Sequence, residues 1–271
     1  KENEVERMLI CPKCHEQLKK EEHVWRCAKG HSYDIARRGY VNLVLGSHKA
    51  SGDEKAMVRS RTRFLSHGYY HILQKRLATM LQKLALETLI DAGCGEGYYT
   101  NYFQEVLPAT QIYGFDLSKH AIDEACKAHR GVTYGVCNIF HLPIAKHCAD
   151  GVVSVFAPVD SKENYRVLKT GGYFLKVGPG PKHLYELKQL LYTDVYENEI
   201  ETGYSGFTLL HEEIVEDTIT IQDAQDIWAL FQMTPYYWRT PKQQAEALKQ
   251  CKELTTQISF HIALYRKESM K

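Results

Sequence analysis

Three glycines at alternate positions, Asp91-Ala92-Gly93-Cys94-Gly95-Glu96-Gly97, constrain this chain more than any other stretch. They follow the apolar run Thr88-Leu89-Ile90 and precede Tyr98-Tyr99-Thr100, which opens a helical pattern. The segment therefore reads as strand, tight turn and helix. Gly93, Gly95 and Gly97 have no side chains, so backbone amides can approach a ligand and the turn can take positive φ. The spacing is G-x-G-x-G, not the G-x-G-x-x-G of dinucleotide sites, and no G-K-[ST] follows, which argues against a P-loop. Asp91, Gly93, Gly95 and Glu96 become candidate contacts for a nucleoside cofactor without phosphates.

Downstream, short apolar runs alternate with helical patterns. A helix to about Leu107 closes at Pro108, and Gln111–Asp116 is a strand ending in an acid. Asp116 lies where a carboxylate about 20 residues past the turn meets a ribose diol, with Leu117 beside it; before Leu-Ser it also suits an N-terminal helix cap. A helix over Ser118–His129 and a strand over Val132–Cys137 follow, placing Asn138 and Ile139 against an adenine ring. Ala149–Phe156 is a near-continuous apolar strand, as in a sheet covered on both faces, and runs into Asp160 where the reacting group belongs. Glu163–Leu168 reads as helix, Gly171-Gly172 as a turn, and Tyr173–Val177 as the fifth strand. Gly178 to Leu184 reads as a stiff loop, 207–221 as strands, 223–232 and 241–251 as helices, and 254–265 as a final antiparallel strand. This alternation predicts an α/β, doubly wound sheet. The Asp-x-Gly-x-Gly-x-Gly turn after a strand resembles motif I of class I methyltransferases that use S-adenosylmethionine (SAM), implying that Rossmann-like fold and cofactor.

A second constellation stands near the start. Cys11-Pro12-Lys13-Cys14 and Cys27-Ala28-Lys29-Gly30-His31 give C-x2-C, a twelve-residue gap and C-x3-H. Three thiolates and an imidazole match a closed tetrahedral zinc site, and four good ligands leave no open position for catalysis. Leu18 to Trp25 holds few apolar groups, so a small zinc ribbon here depends on its metal to fold. A redox C-x-x-C pair lacks its expected βαβ setting. The metal's use is then to present Lys13, Lys19, Lys20, Arg26, Lys29, Arg37 and Arg38 to phosphates, with Trp25, Tyr33 and Tyr40 interleaved as stacking rings or as a miniature core. Residues 47–56 read as a polar linker, followed by two helices from Lys55, the first stopped by Gly68. The expected division is 1–46 as a zinc-binding, RNA-recognising domain, 47–85 as linker and helices, and 86–271 as the methyltransferase domain.

The 271 residues, 44% hydrophobic and 25% charged, can bury a full core. Residues 1–63 carry 14 Lys+Arg against 9 Asp+Glu, while the remainder carries 20 against 24. A cationic front on a chain of net charge +1 suits a polyanionic partner. No apolar run approaches the roughly 20 residues of a membrane-spanning helix; with no signal-like start, a cytoplasmic address is expected. The chain begins at Lys1, as a trimmed protein would. Eight cysteines without secretion features argue against a disulfide framework.

Four pieces together resemble the bacterial 23S rRNA guanine-N1 methyltransferases of the RlmA/TlrB type: the knuckle with Arg38-Gly39-Tyr40-Val41-Asn42-Leu43, the turn from Asp91 to Thr100, Gly180-Pro181-Lys182-His183-Leu184, and Gln232 to Arg239. The resemblance spans nearly the whole chain. It implies methylation of N1 of a guanine in a hairpin loop of 23S rRNA, a homodimer with a basic cleft, and SAM contacts at Tyr70, Gly95, Glu96 and His183. Methyl transfer is an in-line displacement that needs positioning more than covalent help. Guanine N1 is protonated at neutral pH, so a base is useful, and Asp160 is the candidate. Tyr236 and Trp238 are candidates to hold an extruded guanine, and Arg239 to face its O6 or a phosphate. Two alternatives remain open: a small-molecule or protein methyltransferase whose zinc ribbon serves dimerisation, and a non-catalytic rRNA-binding factor.

Overall fold

A run such as Leu89-Ile90-Asp91-Ala92, buried at every position, can only be covered from both sides. In the computed structural model, which describes residues 8–46, 53–128 and 131–269, this run is the central strand of a large sheet. The chain opens with β1 (Leu18–Lys20), β2 (Val24–Cys27) and β3 (Ser32–Asp34), a small antiparallel sheet, and continues through β4 (Val41–Asn42), α1 (Lys55–Ser66) and α2 (His71–Gln82). The alternation then begins with β5 (Thr88–Ala92), α3 (Tyr98–Val106), β6 (Gln111–Asp116), α4 (Lys119–Ala125) and β7 (Thr133–Val136). It continues with β8 (Ala149–Val155), α5 (Ser161–Val167), β9 (Leu168–Pro179) and α6 (Tyr185–Leu191). The chain closes with β10 (Phe207–Ile221), α7 (Ala224–Gln232), α8 (Tyr236–Arg239), α9 (Lys242–Leu248) and β11 (Leu254–Lys267). The eight-stranded sheet has the order β10-β11-β9-β8-β5-β6-β7-β4, parallel from β9 to β4 and antiparallel at β11 and β10. This is the class I methyltransferase architecture.

Strand alternation divides the core. Leu89, Val153 and Leu175 face one side, with Phe64 of α1, Leu77 of α2, Phe103 of α3 and Leu230 of α7. Ile90, Val152 and Phe174 face the other, where Met8, Leu9, Leu18 and Trp25 of the head join them. Leu9 bridges to Ile144, the Ile10 amide donates to Pro143 O (2.9 Å) and the Ala145 amide to Met8 O (2.9 Å). The small ribbon is therefore docked on the sheet, covering part of a face that helices usually cover, and β4 extends the sheet edge by pairing with β7.

Three expectations about elements need correction. The fifth strand is longer than Tyr173–Val177: Gly171, at φ +76°, makes an irregularity inside β9, where the pairing jumps from Ala149↔Leu168 to Gly151↔Tyr173. Two residues on β8 are there set against five on β9, and glycine at positive φ lets the three extra residues loop out without ending the strand. The strands expected over 207–221 are one strand with a register shift between Leu209 and His211. The helix expected to reach His129 ends at Ala125 and tightens into a 3-10 turn over Cys126–Ala128. His129 and the 47–52 part of the linker lie outside the described residues.

Candidate active site and metal centre

The two halves of the knuckle are held by backbone turns. The His15 amide donates to Cys11 O (2.8 Å), with His15 at φ +61°, and the Gly30 amide donates to Cys27 O (2.9 Å). These turns bring the ligand atoms of Cys11, Cys14, Cys27 and His31 within 4.8 Å of one another. Cys14 Sγ lies 3.6 Å from Cys27 Sγ, and His31 Nδ1 lies 3.5 Å and 3.4 Å from the sulfurs of Cys11 and Cys27. A tetrahedron with metal–sulfur bonds of about 2.3 Å and a metal–nitrogen bond of about 2.0 Å has edges of roughly 3.5–3.8 Å, so the four residues fit Zn²⁺ bound through His31 Nδ1. Burial opposes ionisation of the Cys11 thiol, but the Tyr33 hydroxyl (3.1 Å) and the amides of Lys13 and Cys14 outweigh it and bring it down to about 6. Trp25 and Tyr33 pack in the core that the head shares with the sheet, Tyr33 bonded to Cys11, while Tyr40 is buried against Ile122, Ala125, Tyr134 and Val136, so these rings are core and not a stacking surface for bases. A domain this small needs its aromatic rings inside.

At the carboxyl end of β5 the turn takes φ +87° at Gly93 and +55° at Gly95. A Cβ on Gly93 would collide with that of Ala157, and one on Gly95 would lie 3.1 Å from the Arg61 guanidinium. Asp116 secures the turn: Oδ2 accepts from the Gly95 amide (3.0 Å) and Oδ1 from the Ser118 amide (2.8 Å). The ribose candidate is thus also the carboxylate that shapes the cradle. The alternative role of helix cap belongs to Ser118, whose side chain accepts from Ala121 N. Burial raises the Asp116 carboxyl against these two amides and Arg61. Asp91 is buried completely enough to be pushed up to about 7, although Thr100 donates to its Oδ2 (2.6 Å). Its Oδ1 and the Tyr99 hydroxyl are buried with no hydrogen-bond partner among the described residues. Unpartnered polar atoms beside a side-chain-free cradle fit a polar cofactor with an amino-acid tail. Leu117 is half-buried, Ile139 reaches toward Gly93 and Asn138 is exposed, its Oδ1 accepting from Phe140 N (3.0 Å).

Tyr70 and His183 meet although 113 positions separate them. The Ser259 amide donates to His183 Nδ1 (3.2 Å), and burial lowers the imidazole to about 3, so it is neutral with its proton on Nε2. Nε2–H then donates to the Tyr70 oxygen (3.1 Å), leaving the Tyr70 hydroxyl proton for another acceptor. The Tyr236 hydroxyl is near enough to oppose ionisation of Tyr70, after burial, which dominates. Tyr70 and His183, both expected as cofactor contacts, are thus brought together in the fold. Trp238, 63% exposed, and Arg239 project from the same short helix, α8. Asp160 caps α5, its Oδ1 accepting from the amides of Lys162 (2.9 Å) and Glu163 (3.2 Å).

Arg61 was not expected at the site. Its guanidinium pairs with Glu96 and with Asp53 (2.6 Å) directly over the turn. Only the Arg59-x-Arg61-x-Arg63 spacing on α1 hinted at it, by setting alternate arginines on different faces; Arg63 turns instead to Asp226 (2.6 Å) and Asp223 (2.9 Å). Among the phosphate candidates, Arg26 pairs with Glu21 (3.2 Å), Lys29 with Glu16 (3.4 Å) and Arg38 with Asp123 (3.0 Å). Lys13 and Arg37 are exposed and make no ion pair with the described residues.

Residues 9–52 match the family model "RlmA, N-terminal", a zinc ribbon, and residues 90–176 match "Methyltransferase domain". The Bacillus subtilis (strain 168) protein YxjB, whose name carries 23S rRNA (guanine-N(1)-)-methyltransferase, is 31% identical over 249 residues, 87% of this chain and 88% of that protein. The 23S rRNA (guanine(748)-N(1))-methyltransferase of Streptomyces fradiae is 34% identical over 192 residues, 69% of each chain. A malonyl-[acyl-carrier protein] O-methyltransferase of Hahella chejuensis is 30% identical over 130 residues, only 43% of this chain and 47% of that protein. Zinc ribbon, cofactor cradle and end-to-end likeness agree: this chain is a SAM-dependent methyltransferase and belongs to the 23S rRNA (guanine-N1)-methyltransferase family.

Proposed function

We propose that this enzyme methylates N1 of a guanine in a hairpin loop of 23S rRNA. The observation that carries this reading is the union, in one chain, of the cofactor cradle with an RlmA-type ribbon docked on the same sheet. Residues 1–46 serve as the RNA-recognising unit, 47–85 as the connecting segment and 86–271 as the methyltransferase. SAM supplies an electrophilic methyl group on a sulfonium. Glu96 and Arg61, of opposite charge at the turn, match the ammonium and carboxylate of its amino-acid tail, and Asp116 the ribose hydroxyls. Asp91, Gly93, Gly95, Leu117, Asn138 and Ile139 line the remainder, and the spare hydroxyl proton of Tyr70, held by His183, donates into the pocket. Tyr236 and Trp238 hold the extruded base while Arg239 faces O6 or a phosphate. Asp160 takes the N1 proton as the methyl arrives; its Oδ2, which has no partner among the described residues, is available for it.

On the head, Lys13, Arg26, Arg37 and Arg38 contact RNA phosphates. The working form is a cytoplasmic homodimer, supported by exposed Leu209, Leu210 and Ile214 on the edge strand β10. Among the described residues no helix is long and apolar enough to cross a membrane. The test is incubation of an unmodified 23S rRNA transcript with enzyme and methyl-labelled SAM, followed by primer extension. A new stop at one loop guanine is expected, because an N1 methyl blocks base pairing. Label absent from RNA but present on acyl-carrier protein would support the small-molecule or protein alternative instead.

A further inference from the structure

At the corner after β8, Phe156 is strained and exposed at once. Its φ is +55°, in the left-handed region that penalises a residue with a β-carbon, and its ring is 42% exposed although large and apolar. Such a conformation persists only where the surroundings over-determine it, and here they do. The Phe156 amide donates to Val177 O (3.0 Å), while the next carbonyl, Ala157 O, accepts from Lys176 Nζ (2.8 Å) and Ser154 Oγ (3.2 Å). Ala157 Cβ fills the space that Gly93 leaves empty, so the corner is keyed into the cofactor turn itself. Register fixes its height: Asp91 pairs with Val153 across β5 and β8, and Phe156 follows three residues later, at the strands' carboxyl edge. The ring is backed by His183 (centroids 5.5 Å apart), Phe260 (6.0 Å) and Tyr70 (6.4 Å), the last of which holds the hydrogen bond with His183.

A hydrophobic filler would be buried, and a mere corner would take glycine or asparagine at this φ. We infer that Phe156 is the aromatic face on which the acceptor purine stacks, setting the base beside the methyl donor. The inference rests on the RNA-base reading of the site and adds a residue to it. Aromatic rings accept any base by its π-face, and removal of one stacking partner lowers affinity roughly ten- to hundredfold. Selection of guanine then falls to polar groups elsewhere, while Phe156 sets position.

The test compares wild type with Phe156→Trp, Phe156→Leu and Phe156→Ala on the unmodified 23S rRNA transcript. It measures kcat/KM for RNA, SAM affinity by calorimetry, and the thermal midpoint. Phe156→Ala and Phe156→Leu are expected to lose roughly ten- to hundredfold in kcat/KM, and Phe156→Trp to stay within about threefold. SAM affinity and the midpoint of the leucine variant should match wild type. Full activity in Phe156→Leu would overturn the inference, since an aliphatic side chain cannot stack. A parallel loss of SAM affinity would also overturn it, by making the ring part of the cofactor pocket. Failure of the wild type to label RNA would overturn the functional reading and this inference with it; labelling by the wild type with no loss in the variants overturns the inference alone.

Discussion

The metal knuckle and the cofactor turn both gather polar groups at a point, and they do so by opposite means. In the knuckle, Cys11, Cys14, Cys27 and His31 face one another with their ligand atoms within 4.8 Å. Without a cation, three thiols and an imidazole at that spacing have little to hold them, so the binding energy of zinc is the folding energy of the head. At the turn, backbone conformation and the Asp116 bonds to the amides of Gly95 and Ser118 make the shape in advance. What is left over is Asp91 Oδ1 and the Tyr99 hydroxyl, buried and without a partner among the described residues. One site needs its ligand to exist, whereas the other exists and waits for its ligand. They are joined, because Leu9, Leu18 and Trp25 of the head pack into the core that contains Ile90 and Val152.

Removing zinc is the largest way to break that comparison. Chelation should unfold the head, and withdrawing Leu9, Leu18 and Trp25 from the sheet costs on the order of 5 kcal/mol or more at about 1.5–3 kcal/mol per large side chain. The thermal midpoint should therefore fall for the whole chain, with one zinc per chain released, measured by calorimetry and metal analysis. A separate early transition with the main midpoint unchanged would show the two regions to be independent. Next in size, Asp116→Ala removes two charge-assisted hydrogen bonds from the turn. SAM affinity should fall by about a hundredfold or more, since two bonds at roughly 1.5–3 kcal/mol each amount to at least about 3 kcal/mol, with zinc content intact.

A smaller effect is set by pH. Asp91 is raised by burial to about 7 from an ordinary 3.8. The folded state therefore holds a proton that the unfolded state has lost, so this group's contribution to stability is full below about 3.8 and declines as pH rises toward 7. Asp91→Asn should cancel the decline: its thermal midpoint should gain on wild type between pH 4 and 7 and hold that gain above. A gain that did not grow with pH would mean the carboxylate is not under strain. Smallest, Lys13→Ala and Arg37→Ala should each reduce the slope of log affinity for RNA against log salt by about 1. Arg26→Ala and Arg38→Ala, whose charges are shared with Glu21 and Asp123, should change it less. Slopes unchanged from wild type in all four would leave the head without a phosphate role.

Legibility in the sequence followed locality. Cys11 to Cys14 and Cys27 to His31 are each closed by one turn, and the glycine turn lies within seven residues, so spacing alone revealed them. Asp116 was legible because the second parallel strand must end beside the first. Arg61 was not, since nothing in the alternating arginines of α1 says which one meets Glu96 and which one Asp226. Trp25 and Tyr40 stayed undecided for the same reason: an aromatic residue in a basic segment looks alike whether it is core or contact surface, and only burial separates the two. The extra length of β9 was hidden by Gly171-Gly172, a pair that usually marks a turn and here marks an irregularity within a strand.

Sequence by itself determined the chemistry available to this protein: a closed zinc set, a side-chain-free cradle with its acids, and the order of strands and helices between them. These depend on short-range covalent geometry and on periodicity, both of which are written along the chain. Tertiary structure alone decided how those parts were brought together. It docked the head on the back of the sheet, set Tyr70 against His183 across 113 positions, and held Phe156 strained and open beside the turn. The physical reason is that packing partners distant in sequence are chosen by the shape and burial of the whole core, which no local pattern records.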